Sequence, residues 1–296
     1  MRQQEDRSGA GGFTHRQRRA LAGLRLPAHR IARPALLRRL DRLTPFTRVS
    51  APPGSGRTTL LADWATHRMD AGDHVLWVSA SPGLDSWQAF DQCIAELAGD
   101  VVSPGGADAL EQVCAASPDT RVILIVDDGD RILDAVLRDG LVDLCRSLPA
   151  LYVVGATGDI APVPEDPRGS GLSFTLLTGR DLLVTDEEAR ELARAWGLDR
   201  TDEQVAAARL ASGGWMGLLR EVLEDDVPRH LHAVHRFLSE SAVASRETAI
   251  VAVLGAVAAL GEVNQDLLTH LEESQDRKST RLNSSHGAKP RMPSSA

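Results

Sequence analysis

The sequence predicts an α/β fold, a parallel sheet layered with helices and followed by an all-helical part. Three observations carry that expectation. Short β-branched and aliphatic runs alternate with helix-period segments as far as residue 180, the pattern of βαβ units with right-handed crossovers. A small-residue loop, Ala51-Pro52-Pro53-Gly54-Ser55-Gly56, joins the first such run to a helix-like segment. From Thr185 onward the texture changes to helices alone.

Residues 1–23 are polar, charged and glycine-containing, and read as a disordered N-terminus. A proline-punctuated arm from Leu24 to Pro34 leads into a short amphipathic helix, Ala35 to Leu43, with Leu36, Leu37, Leu40 and Leu43 on one face. Its arginines bring nucleic acid to mind, but a solvated helix face is the preferred reading. Phe46 to Ala51 is the first strand and Thr58 to Ala71 the first long helix. His74 to Ser79 reads as a buried strand. Asp85 to Ala98 reads as a helix with Trp87, Phe90, Ile94 and Leu97 at core spacing, and Gly105 to Ala116 as another helix. Arg121 to Val126 is an unbroken apolar run, as a central parallel strand should be. Ile132 to Leu148 is helical, and Leu151 to Gly155 and Leu172 to Leu177 are the last strands. Thr185-Asp186-Glu187-Glu188 and Thr201-Asp202-Glu203-Gln204 each pair an N-cap with acidic first-turn residues. Gly213-Gly214-Trp215 marks a break before a helix over Met216 to Leu223.

The 296 residues are 43% hydrophobic, enough for one large or two modest cores. No run of eighteen apolar residues exists, so no membrane partner is expected. The Arg-rich start has no apolar signal region. A net charge of −8 speaks against nucleic acid as a partner of the whole chain, although the first fifty residues are locally basic. Cys93, Cys114 and Cys145 form no CxxC pair, so free buried thiols and a cytoplasmic location are expected. His230, His232 and His235 do not share one helical face and are not read as a metal site. Only two of the 33 basic residues are lysines, Lys278 and Lys289. The stretch Asp276 to His286 resembles a translated sequencing adapter, and residues 272–296 are read as a disordered, artefactual tail. On that reading the natural chain continues beyond Leu271.

The chemistry is expected at the loop. Strand, glycine loop and helix N-terminus form the layout of a P-loop, in which backbone N–H groups and the helix dipole meet phosphate oxygens. The residues expected to bind nucleotide are Pro53, Gly54, Ser55, Gly56, Arg57, Thr58 and Thr59, with the Thr58 hydroxyl on Mg²⁺. The loop departs from G-x-x-x-x-G-K-[ST] at Ala51 and Arg57. An ordinary strand-to-helix turn is the bland alternative. The run Val122 to Val126 ends at Asp127-Asp128 and is expected beside the loop strand in the sheet. Asp127 would then hold the metal through water, and Asp128 would orient or deprotonate an attacking water.

The stretch Ala51 to Ala65 resembles the P-loop and first helix of the large ATP-dependent LuxR-type transcriptional regulators, a branch of the STAND class of P-loop ATPases. Leu26 to Leu40, Val75 to Ser79, Leu124 to Asp128, Leu182 to Ala189 and Gly214-Trp215 are similar to successive motifs of that family. The resemblance spans roughly residues 24–271. It implies a P-loop NTPase domain over 24–180, a helical subdomain over 181–227 and the start of a winged-helix-like unit over 228–271. It also implies an ATP- and Mg²⁺-dependent switch that self-associates as a full-length protein and reaches DNA only through a C-terminal domain missing here. Three further positions depart from the family pattern: Asp130, Gly158 where an arginine is usual, and Met216 in place of a proline. With Arg57 for lysine, they point to nucleotide binding with weak or absent hydrolysis. An active ATPase of another P-loop class and a scaffold that binds no nucleotide stand as alternatives.

Overall fold

The computed structural model describes residues 15–224, apart from 82, 85, 104–107, 130–134 and 159–171, and only the backbone of 135–139. By internal contacts the chain divides into two compact units, Met1–Val253 and Leu254–Ala296, and every described residue belongs to the first. The expected winged-helix-like unit, the tail, Asp130 and the three clustered histidines lie outside the described residues.

Five strands form one sheet: β1 (Phe46–Ser50), β2 (His74–Ser79), β3 (Val122–Asp127), β4 (Leu151–Thr157) and β5 (Phe174–Thr178). The order is β2-β3-β4-β1-β5, and every pairing is parallel, as expected. Parallel strands covered on both faces need apolar side chains on both. β3, Val-Ile-Leu-Ile-Val-Asp, is buried at all six positions for that reason. Alternation sorts its residues to two cores. Leu124 and Val126 face one side with Leu76, Val78 and Val153. Ile123 and Ile125 face the other with Val49, Val75 and Trp77.

The helices fill the two sides. α1 (15–22), α2 (Pro34–Leu40) and α3 (Arg57–Asp70) supply Leu21, Leu40, Leu61 and Trp64 to the second core. α4 (Trp87–Ala98), α5 (Ala109–Ala116) and α6 (Ala135–Ser147) supply Phe90, Ile94, Leu110 and Leu141 to the first. After β5 the chain turns all-helical, with α7 (Asp186–Ala195), α8 (Asp202–Ala211) and α9 (Met216–Glu224). Thr185 and Thr201 each close a complete capping box with Glu188 and Gln204. Gly214, at φ +79°, accepts a 2.7 Å hydrogen bond from Val184 N–H and so aims α9 back toward the sheet.

Three expectations are corrected. Residues 15–22 are helical rather than disordered, because Gln17 and Leu21, one turn apart, are buried. α2 stops at Leu40 instead of Leu43, where Asp41 accepts the Trp64 indole N–H at 2.8 Å. β3 is not beside β1, since β4 pairs with both and separates them. The solvated-face reading of the Ala35 to Leu43 arginines holds for Arg38 and Arg42, while Arg39 pairs with Asp181. Arg16, Arg18, Arg30, Arg33 and Arg39 pair with Asp100, Asp70, Asp63, Glu188 and Asp181 of the chain that follows, while Arg19, Arg25, Arg38 and Arg42 are exposed.

The cysteines are free, and burial pushes the Cys114 thiol up to about 11 and the Cys145 thiol up to about 12. Among the described residues no helix is long and apolar enough to cross a membrane.

Candidate functional site

β1 delivers the loop. Ala51 N–H donates to the Thr157 carbonyl at 3.1 Å, which pins the loop start to β4. Ala51 has no positive φ, so this departure from glycine needs no special backbone freedom. Gly54 and Gly56 do have positive φ, +77° and +87°, with Ser55 N–H closing a turn onto the Pro52 carbonyl. Gly56 is the N-cap of α3. The first-turn N–H groups of Arg57, Thr58 and Thr59 therefore have no partner within the helix, and its positive dipole end faces the loop.

Two side-chain atoms single out this loop from an ordinary turn. Ser55 Oγ and Arg57 Nη1 are buried with no hydrogen-bond partner. Each such orphan costs roughly 1–3 kcal/mol, more when charged. A bound anion with several oxygens would remove both penalties, so the residues fit a phosphate chain.

Asp127 and Thr58 come together as expected, though across β4. The Thr58 hydroxyl lies near enough to the Asp127 carboxylate to favour its ionised form. The residue following Asp127 donates its backbone N–H to Asp127 Oδ1 at 3.1 Å. Asp127 is only 4% exposed. Burial raises its carboxyl above the usual range, the nearby Asp128 adds to this, and Thr58 and Arg57 oppose it. A hydroxyl and a carboxylate close together beside a phosphate cradle are a hard-oxygen donor set suited to Mg²⁺. Asp128 is placed differently: its backbone is left-handed, at φ +54°, its carboxylate is 65% exposed, and Arg57 Nη2 lies 3.6 Å from Oδ1. Among the described residues no cluster of three or more metal-ligating side chains occurs.

The helical part closes over the loop. Gly217 N–H donates to the Gly54 carbonyl at 2.9 Å, and a Cβ built on Gly56 would lie 3.2 Å from Met216 Sδ. A cleft of about 240 Å³ opens between the arm (Pro27, Ile31), the loop and α3 (Gly56, Thr59), and the helical part (Leu192, Met216). The expectations from sequence include none of the arm residues in the site. Their only local signal is proline punctuation ahead of an amphipathic helix, which says nothing about what the arm covers.

No family model matches the chain. Among curated proteins, the serine/threonine-protein kinase PknK of Mycobacterium tuberculosis (strain H37Rv) is 26% identical over 191 residues, 58% of this chain and 17% of the kinase. Among solved structures, the STAND protein with a tetratricopeptide repeat sensor from Pyrococcus horikoshii is similar, with TM-score 0.50 and 17% identity, over 71% of this chain and 33% of that one. Cdc6p from Pyrobaculum aerophilum is also similar, with TM-score 0.48 and 14% identity, over 87% of this chain and 89% of that one. The chain thus spans about a sixth of the curated relative it matches and a third of the STAND protein. Sheet order, loop geometry and the likeness to the STAND protein agree: the chain has the P-loop NTPase fold, a parallel α/β sheet followed by helices.

Proposed function

We propose that this chain is the ATP-binding switch portion of a LuxR-type regulator, which binds ATP with Mg²⁺ and hydrolyses it weakly or not at all. The observation that carries the nucleotide part is the Thr58–Asp127 pair next to two orphaned buried donors, Ser55 Oγ and Arg57 Nη1. Residues Pro53 to Thr59 would surround the phosphates with N–H groups, and Arg57 would neutralise them. Thr58 and Asp127 would hold Mg²⁺, which would offset the charge of the phosphates. The cleft between arm and α9 would take the rest of the nucleotide.

Weak hydrolysis is supported by two residues. Asp128 faces a guanidinium 3.6 Å away, so a general base there competes with an ion pair. Gly158 brings no side chain to the end of β4. The regulator part rests on the collinear motifs from Leu26 to Trp215 and on the likeness to a STAND protein. On this reading the full-length, cytoplasmic protein self-associates and contacts DNA through a further C-terminal domain.

Equilibrium binding of labelled ATP, with Mg²⁺ and with a chelator, tests the nucleotide part. Binding that weakens without Mg²⁺ supports it, and no binding at millimolar ATP would sink it. Sustained turnover would instead favour an ATPase of another P-loop class. The genomic locus tests the rest: a reading frame that continues into a helix-turn-helix supports the regulator, and one without it overturns it.

A further inference from the structure

The N-terminal segment crosses the body on five ion pairs of unequal kind. The pairs of Arg16 and Arg18 are exposed, and those of Arg30 and Arg39 are about one-third exposed. Pairs of that kind add little each and weaken with salt. Arg33 is different, with its side chain 7% exposed and four hydrogen bonds. Its Nε and Nη2 donate to the two oxygens of Glu188 at 2.9 and 3.0 Å, a bidentate fork. Its Nη1 and Nη2 also donate to the carbonyls of Leu182 and Leu183, at 2.8 and 3.0 Å, in the link between β5 and α7.

Both ends of this fork border the cleft. Arg33 itself and Ile31 line its arm wall, and Leu192, one helical turn beyond Glu188, lines the opposite wall. We propose that Arg33 is a positioning residue for nucleotide. It never touches the phosphate cradle, but it ties the arm to the start of the helical part, so the cleft opens only when the fork breaks. This rests on the nucleotide-binding reading above. A buried, hydrogen-bonded charge pair is expected to act on dissociation more than on encounter.

Two measurements test it. The first is stopped-flow release of a fluorescent N-methylanthraniloyl ATP from the full chain. Arg33→Met is expected to speed release about tenfold or more with association nearly unchanged, and Arg33→Lys, which keeps the charge but not the fork, to fall between. Thr201→Ala removes the equivalent cap from the neighbouring α8, away from the Arg33–Glu188 fork, and it should leave release unaltered. A folded Arg33→Met chain whose release changes less than about twofold, or a Thr201→Ala chain that speeds release as much, overturns the proposal. The second is hydrogen exchange of the ligand-free chain. Arg33→Met should raise exchange of residues 26–33 and 182–195 together while β1 to β4 stay protected. Exchange that rises in only one segment, or in neither, also overturns it. A wild-type chain without nucleotide affinity would fail the functional proposal, and exchange would then decide on the linkage alone.

Discussion

Asp127 shows how burial acts against the charge of a single carboxyl. Burial raises its carboxyl above the usual range, so folding costs more when the group is ionised than when it is protonated. A raised carboxyl contributes stability below its unfolded value and loses it as pH rises through the folded one. Asp127→Asn is therefore expected to raise the thermal midpoint at neutral pH by a few degrees while abolishing the Mg²⁺ dependence of ATP binding. Calorimetry and titration on the same sample check both signs. Glu188 runs the other way. Its own burial would raise it, but bonds from Arg33 and Thr185 hold it below the usual range. Its contribution is present at neutral pH and is lost as pH falls below the ordinary glutamate range, so Glu188→Gln should flatten the acid limb of stability against pH. Arg57→Lys tests the cradle. If hydrolysis stays absent after that change, the missing side chain at Gly158 and the engaged Asp128 limit the site, not the arginine. Thr58 and Asp127 are legible in the sequence because each is marked locally, by a glycine loop and by an apolar run ending in acid. Arg33 is not legible, because its partner Glu188 lies 155 residues away and nothing near Arg33 announces it.

Elements are read well where one pattern decides them. The strands and the capped helices α7 and α8 fall where periodicity and N-cap chemistry place them. Neighbour relations are read less well. An apolar run does not say which strand it will lie beside, and β4 between β1 and β3 could not be inferred from either strand alone. The junction of loop and α9 is equally non-local, and it makes a sharp prediction. Gly56→Ala places a Cβ at φ +87° and 3.2 Å from Met216 Sδ. The backbone term alone costs about 1–2 kcal/mol. Adding Met216→Ala relieves the contact but not the backbone, so urea midpoints should recover only in part. Gly214→Ala meets the Val184 carbonyl at 2.8 Å, a backbone atom that cannot step aside, and should loosen α9 from the loop more than Gly56→Ala does.

At the scale of the molecule, charge is arranged as self-complementarity. A basic N-terminal segment lies on an otherwise acidic chain, and the ion pairs are the form that asymmetry takes. Molar salt should raise hydrogen exchange of residues 15–25, held by exposed pairs, before it reaches Arg33. The order of the sheet has a consequence of another kind. β1 precedes the other described strands in the chain, yet it sits between β4 and β5, whose residues emerge roughly a hundred or more positions later. On the ribosome it waits with both edges open until β4 and β5 have emerged. This chain therefore passes through a long interval in which β1, an inner strand of the finished sheet, has neither of its neighbours, and an unpaired strand of that kind is open to association.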